Sequence, residues 1–210
     1  MMTERQALQF PVAHATLHGE LLLPANTHGI AVFVAACNST QQAEQGDFAQ
    51  HLHINGFGTL TLDLLVGNEC NFTDAEVHLP HLAERLLAVL TQIRRMMDAE
   101  AIPEVPLALI AAGDATPLAV RVAALRDLDV GALICHGGLV DLAGLQYLKV
   151  LRAPLLMLVA KTDQAAIANL QRAKEFMPGV IALEQIDTEE GIERVESRLA
   201  SEWLQRYLHG

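Results

Sequence analysis

The run Leu107-Ala-Leu-Ile-Ala-Ala-Gly-Asp-Ala-Thr-Pro-Leu-Ala-Val120 joins a strand-sized apolar stretch, a turn of small residues and the opening of a helix. Leu107 to Ile110 is too short a run for a helix of its own and suits a strand buried on both faces. Thr116 to Leu125 then carries the period of a helix. A sharp strand-to-helix turn lifts one residue clear of the sheet, and it presents a nucleophile when the flanking residues are small. Ala111, Ala112 and Ala115 keep the flanks small, but Gly113 stands where the reactive oxygen would be. The stretch therefore specifies a fold more firmly than an activity.

Outward from this turn the same unit repeats. Ile30 to Ala36, Thr59 to Asp63, Ala132 to Cys135 and Leu155 to Val159 are further short buried runs, and Val180 to Ile186 is the last predicted strand. Between and after them lie segments of helical period at 43–55, about 75–99, 116–125, 164–176 and 192–208, with a shorter piece near 142–150. Thr73-Asp-Ala-Glu76 has the spacing of a capping box, yet Pro80 places the start of the continuous second helix nearer Leu79. Residues 6–23 alternate loosely around His18-Gly19 and read as a hairpin at one sheet edge, ended by Pro24. Strands alternating with helices after a hairpin give an open, mostly parallel sheet with helices on both faces, in a single α/β domain over residues 1–210.

Composition agrees. Of the 210 residues, 51% are hydrophobic and only 4% aromatic, as a Leu, Ala, Val and Ile core under helices requires. A net charge of −11 opposes binding to phosphate backbones, so nucleic acid is not expected as a partner. The apolar runs fall well short of the ~20 residues that span a bilayer, and the amino terminus has no apolar signal core. A soluble, cytoplasmic protein without membrane contact is expected. Cys37, Cys70 and Cys135 are too widely spaced for a metal knuckle and are read as reduced thiols. His78, His81 and Glu84 share a helical spacing but supply no fixed further ligand, so neither metal nor cofactor is expected.

Ligands of such sheets gather outside the carboxyl ends of the strands. The segments brought there are 36–40, 63–65, 113–116, 135–138 and 161–163. The candidate pocket is therefore Cys37, Asn38, Ser39, Gly113, Asp114, His136 and Asp163.

The segments Gly56-Phe-Gly-Thr-Leu-Thr-Leu-Asp-Leu-Leu65, Gly137-Gly-Leu-Val-Asp-Leu-Ala143, Ala153-Pro-Leu-Leu-Met-Leu-Val-Ala-Lys-Thr-Asp163 and Ala200-Ser-Glu-Trp-Leu204 together resemble the dienelactone-hydrolase-like branch of the α/β-hydrolase family. The resemblance implies an α/β-hydrolase fold with a His-Gly-rich loop after an early strand, a G-x-S-x-G elbow, an acid after a later strand and a histidine after the last. Residues 35–40 lack the His-Gly pair, the elbow serine falls on Gly113, and the acid falls on Asp163. The loop after the last strand, Asp187-Thr-Glu-Glu-Gly191, holds no histidine. The chain's three serines, Ser39, Ser197 and Ser201, all lie away from the elbow. A serine hydrolase needs a nucleophile, a base and an orienting group within reach of one another.

Other nucleophiles fare no better. Asp114 is one residue out of register for an aspartate elbow and reads as a helix-start carboxylate. Cys135 and His136 are adjacent on an extended strand and point to opposite faces. Cys37 reads as a structural thiol, and Asp163 as a loop carboxylate bonded to nearby amides. The leading expectation is a pseudoenzyme, with no catalytic residue, that binds a small ligand in the cleft or another protein. The alternatives are a hydrolase of esters or lactones using Asp114, Cys37 or His136 in a non-standard arrangement, and a structural accessory subunit.

Overall fold

The structure is a computed structural model that describes residues 3–13, 15–35, 42–66, 69, 75–187 and 192–208. Its eight strands are β1 (Thr3–Val12), β2 (Ala15–Pro24), β3 (Gly29–Ala35), β4 (Phe57–Asp63), β5 (Leu107–Ala112), β6 (Val130–His136), β7 (Leu155–Ala160) and β8 (Ile181–Ile186). They form one sheet in the order β1-β2-β4-β3-β5-β6-β7-β8. β1 and β2 pair antiparallel, as do β2 and β4, and from β4 to β8 every pairing is parallel. Parallel neighbours need a crossover, and helices supply it: α1 (Gln42–Ile54), α2 (Ala75–Asp98), α3 (Thr116–Leu125), α4 (Leu145–Leu148) and α5 (Gln164–Ala173), with α6 (Ile192–Tyr207) following the last strand.

The two faces of the sheet bury different sets of residues. Odd positions of β5 and β6, including Leu107, Leu109, Leu133 and Cys135, join residues of α2, α3 and α5. Even positions, including Ala108, Ile110, Ala132 and Ile134, pack with Phe48 and Leu52 of α1 and Trp203 and Leu204 of α6. This period-2 division is what a central strand covered on both sides must show.

Two local expectations are corrected. His18-Gly19 is not the hairpin turn: it lies inside β2, with Gln9 opposite His18 and Leu8 opposite Gly19, and the turn falls between Val12 and Ala15. Gly19 serves close packing, since a Cβ there would meet the Phe10 ring at 3.0 Å and the Thr61 carbonyl oxygen at 3.1 Å. Second, α2 runs from Ala75 straight through Pro80 instead of starting near Leu79. Pro80 is exposed, while Leu79, Leu82, Ala83 and Leu86 beside it are buried. The single backbone bond lost at the proline is offset by that apolar face. Thr73 of the suggested capping box lies outside the described residues. No helix among the described residues is long and apolar enough to cross a membrane.

Candidate functional site at the strand carboxyl ends

Residues 107–125 fold as strand β5, one short 3-10 turn over Gly113–Ala115, and α3. Gly113 sits at the tip with φ +52°, in the left-handed region, and a Cβ added there would have no heavy atom within 4 Å. Thr116, the first residue of α3, donates its N–H to the Gly113 carbonyl and its Oγ1–H to the Gly137 carbonyl at 2.8 Å. The elbow is thus tied across to the exit of β6. Gly138 makes that approach possible, because a Cβ on it would fall 2.8 Å from Thr116 Oγ1. Asp114 is exposed beside the tip, and its neighbour Ala115 is buried.

Asp163 follows β7 and caps α5, its Oδ1 accepting the Ala166 N–H at 3.0 Å. The other oxygen, Oδ2, would lie 3.8 Å from a Cβ on Gly137. The carboxylate thus stands beside the β6 exit loop while serving as a helix cap, a role that an aspartate at this position fills for its own backbone reasons.

His136 closes β6, in register with Ala112 on one side and Leu158 on the other. Its Nδ1 is 3.5 Å from Oε2 of Glu196 on α6, and its ring meets Phe48 of α1 edge-on at a centroid distance of 5.6 Å. Cys135 faces the opposite side, is fully buried, and interacts with the Thr116 side chain. Burial pushes its thiol up to about 12, which removes it as a nucleophile at neutral pH.

The structure therefore brings Gly113, Asp114, His136 and Asp163 to the ends of three neighbouring strands. Cys37, Asn38 and Ser39 lie outside the described residues. A depression of about 360 Å³ lined by Glu104, Pro106 and Leu128 is at the opposite, amino end of β5 and β6.

Sequence reasoning missed three features here. Glu196 is 60 positions from His136, and nothing local marks the pairing. The segment after β6 is fastened to α3 by Arg121, which donates to the Ala143 carbonyl and lies over the Tyr147 ring at 4.8 Å. At the exit of β4, Arg85, almost wholly buried, forms a two-pronged ion pair with Glu69 and donates to the Leu64 carbonyl at 2.6 Å. The guanidinium holds the Glu69 carboxyl down to about 2.

This sheet order, helix placement and elbow define an α/β-hydrolase fold. Within that class the chain resembles dienelactone hydrolase: the crystal structure of dienelactone hydrolase from Anabaena variabilis superposes with a TM-score of 0.87 at 26% identity, covering 99% of both chains. A fungal esterase from Rhizomucor miehei shares the fold, with a TM-score of 0.75 at 11% identity over 98% of this chain and 84% of that one. Proteins from two strains of Mycobacterium tuberculosis, each named "Putative phosphoribosyl transferase", are 30% identical over 99% of this chain. The chain spans 47% of their length, about half. No protein-family model matches.

Proposed function

We propose that this chain is a hydrolase-fold protein that binds a small ligand at the strand carboxyl ends and does not turn it over. The observation that carries the reading is Gly113, bare and exposed at the tip of the elbow with φ +52°. Covalent acyl transfer needs a nucleophile at that tip and a base beside it. Asp114 is next to the tip instead of on it, Asp163 is occupied as a helix cap, and residues 187–191 contain no histidine. What the cleft retains is backbone polarity at the elbow and a set of polar side chains around it, which suffices for recognition. On this reading nucleic acid and membranes are not partners, in keeping with the charge of −11.

The mycobacterial relatives are named for phosphoribosyl transfer. We assign that chemistry, on the same reading, to the part of those proteins outside the match, because a hydrolase-type fold accounts for the matched part. The test is steady-state hydrolysis of nitrophenyl acetate and of a simple lactone by the purified chain. Rates equal to those of buffer are expected for both. Saturable turnover that disappears on heat denaturation would overturn the reading and restore the hydrolase alternative.

A further inference from the structure

The imidazole that the resemblance calls for would arrive from the loop after β8, and residues 187–191 lack it. That loop comes directly before α6 in the chain, and α6 packs with α1 on one face of the sheet. His136 lies on that same face. It is in register with Ala112, and paired positions of parallel strands share a face; Ala108, Ile110, Ala132 and Ile134, in phase with these two, pack with Phe48, Trp203 and Leu204. Ala112 immediately precedes the tip residue Gly113, and adjacent strands are about 4.8 Å apart. His136 therefore stands next to the elbow, on the face of the sheet that α1 and α6 cover.

Its surroundings are those of a held imidazole. Glu196, on the second turn of α6, places Oε2 3.5 Å from Nδ1, and the Phe48 ring packs against the imidazole edge-on. The His136 and Glu196 side chains each keep 22% of their surface, so the pair is sheltered but reachable. A carboxylate facing Nδ1 favours the tautomer that carries the proton there and leaves Nε2 as an acceptor.

We propose that His136 and Glu196 are the imidazole–carboxylate pair of this cleft, relocated from the loop after β8 to the end of β6, with Nε2 accepting a hydrogen bond from a hydroxyl or N–H group of the bound ligand. The inference rests on the reading of the cleft as one that lacks a nucleophile. If a hydroxyl is placed on the tip, the same nitrogen takes its proton as the oxygen attacks an ester carbonyl. It then returns that proton to the departing alkoxide, and water repeats the cycle to release the acid.

Two measurements on the full chain test this. Nitrogen-15 NMR of the His136 ring should show the Nδ1–H tautomer in the unaltered protein, and Glu196→Gln should weaken that preference. An Nε2–H tautomer, or no response to Glu196→Gln, would overturn the pairing whether or not any variant is active. Gly113→Ser should raise nitrophenyl acetate turnover roughly 100-fold over the unaltered chain, within the range of general-base contributions. Gly113→Ser with His136→Gln should lose that gain. A folded Gly113→Ser protein without gain, or a gain that survives His136→Gln, would overturn the proposal. Turnover by the unaltered chain would instead count against the non-catalytic reading, so the two failures are distinguishable.

Discussion

A Cβ built on Gly138 would lie 2.2 Å from the carbonyl oxygen of Gly113, so there the β6 exit loop and the elbow meet backbone to backbone. The two glycines are alike in having positive φ and unlike in their space, since Gly113 has nothing within 4 Å of its own Cβ direction. Gly138→Ala should cost about 3 kcal/mol or more, combining left-handed strain with a backbone clash. Gly113→Ala should cost about 1 kcal/mol, the strain alone. Urea unfolding of both variants checks the order, and equal losses would contradict the close approach.

Thr116 ties the elbow to β6 through the 2.8 Å bond from its hydroxyl to the Gly137 carbonyl. Thr116 is fully buried, so Thr116→Val keeps the shape and leaves that carbonyl short of a donor. A loss of about 1–2 kcal/mol is expected. An unchanged unfolding midpoint would mean that the bond is dispensable.

Cys135, with its thiol pushed up to about 12 inside the core, should be protected from maleimide in the native protein and labelled after denaturation. Peptide mass mapping reads this directly. Rapid native labelling at Cys135 would contradict its burial.

Acid should destabilise the fold in two steps. Burial lowers His53, whose Nε2 is 2.8 Å from Thr59 Oγ1, below its ordinary value of 6.5. The unfolded chain then binds the proton more readily, so this contribution is complete above about 6.5 and is lost as pH falls from there through the lower folded value. Glu69, held down to about 2 by Arg85, contributes fully above the ordinary carboxylate value of 4.5 and loses that contribution as pH falls through about 2. Its carboxylate is about a third exposed, so solvent screening makes this second step shallow. The unfolding midpoint should drop between pH 7.5 and 5, and His53→Gln should flatten that drop. Glu69→Gln should leave it in place and flatten the profile below pH 4.

The elements were legible because their signals are local. Thr116 to Leu125 matched the third helix residue for residue, since a proline at its start and a buried strand before it leave little freedom. The alternation of β5 and β6 between two packed faces followed from the same period. Position was harder to read. His18-Gly19 looked like a turn because glycine is the common turn residue, whereas Gly19 makes room for Phe10 across the hairpin. Pro80 looked like a helix start because its cost is local, whereas the apolar face that offsets it extends over the following turns. At the site, Asp163 and Gly113 were placed by their segments, and their assignment to the strand ends needed only the order of strands. Glu196 beside His136 and Arg85 with Glu69 were not legible, because each pair depends on the way a helix packs back onto the sheet.

The bare tip of the elbow is the centre of the account, and intact-protein mass spectrometry after incubation with a fluorophosphonate reads it most directly. The reagent adds a phosphonyl group to an activated serine and to little else under mild conditions. The unaltered chain should keep its native mass, with no adduct at any residue. A single stoichiometric adduct, formed by the folded protein and abolished by changing Ser39, would show a nucleophile relocated away from Gly113 and contradict the non-catalytic reading.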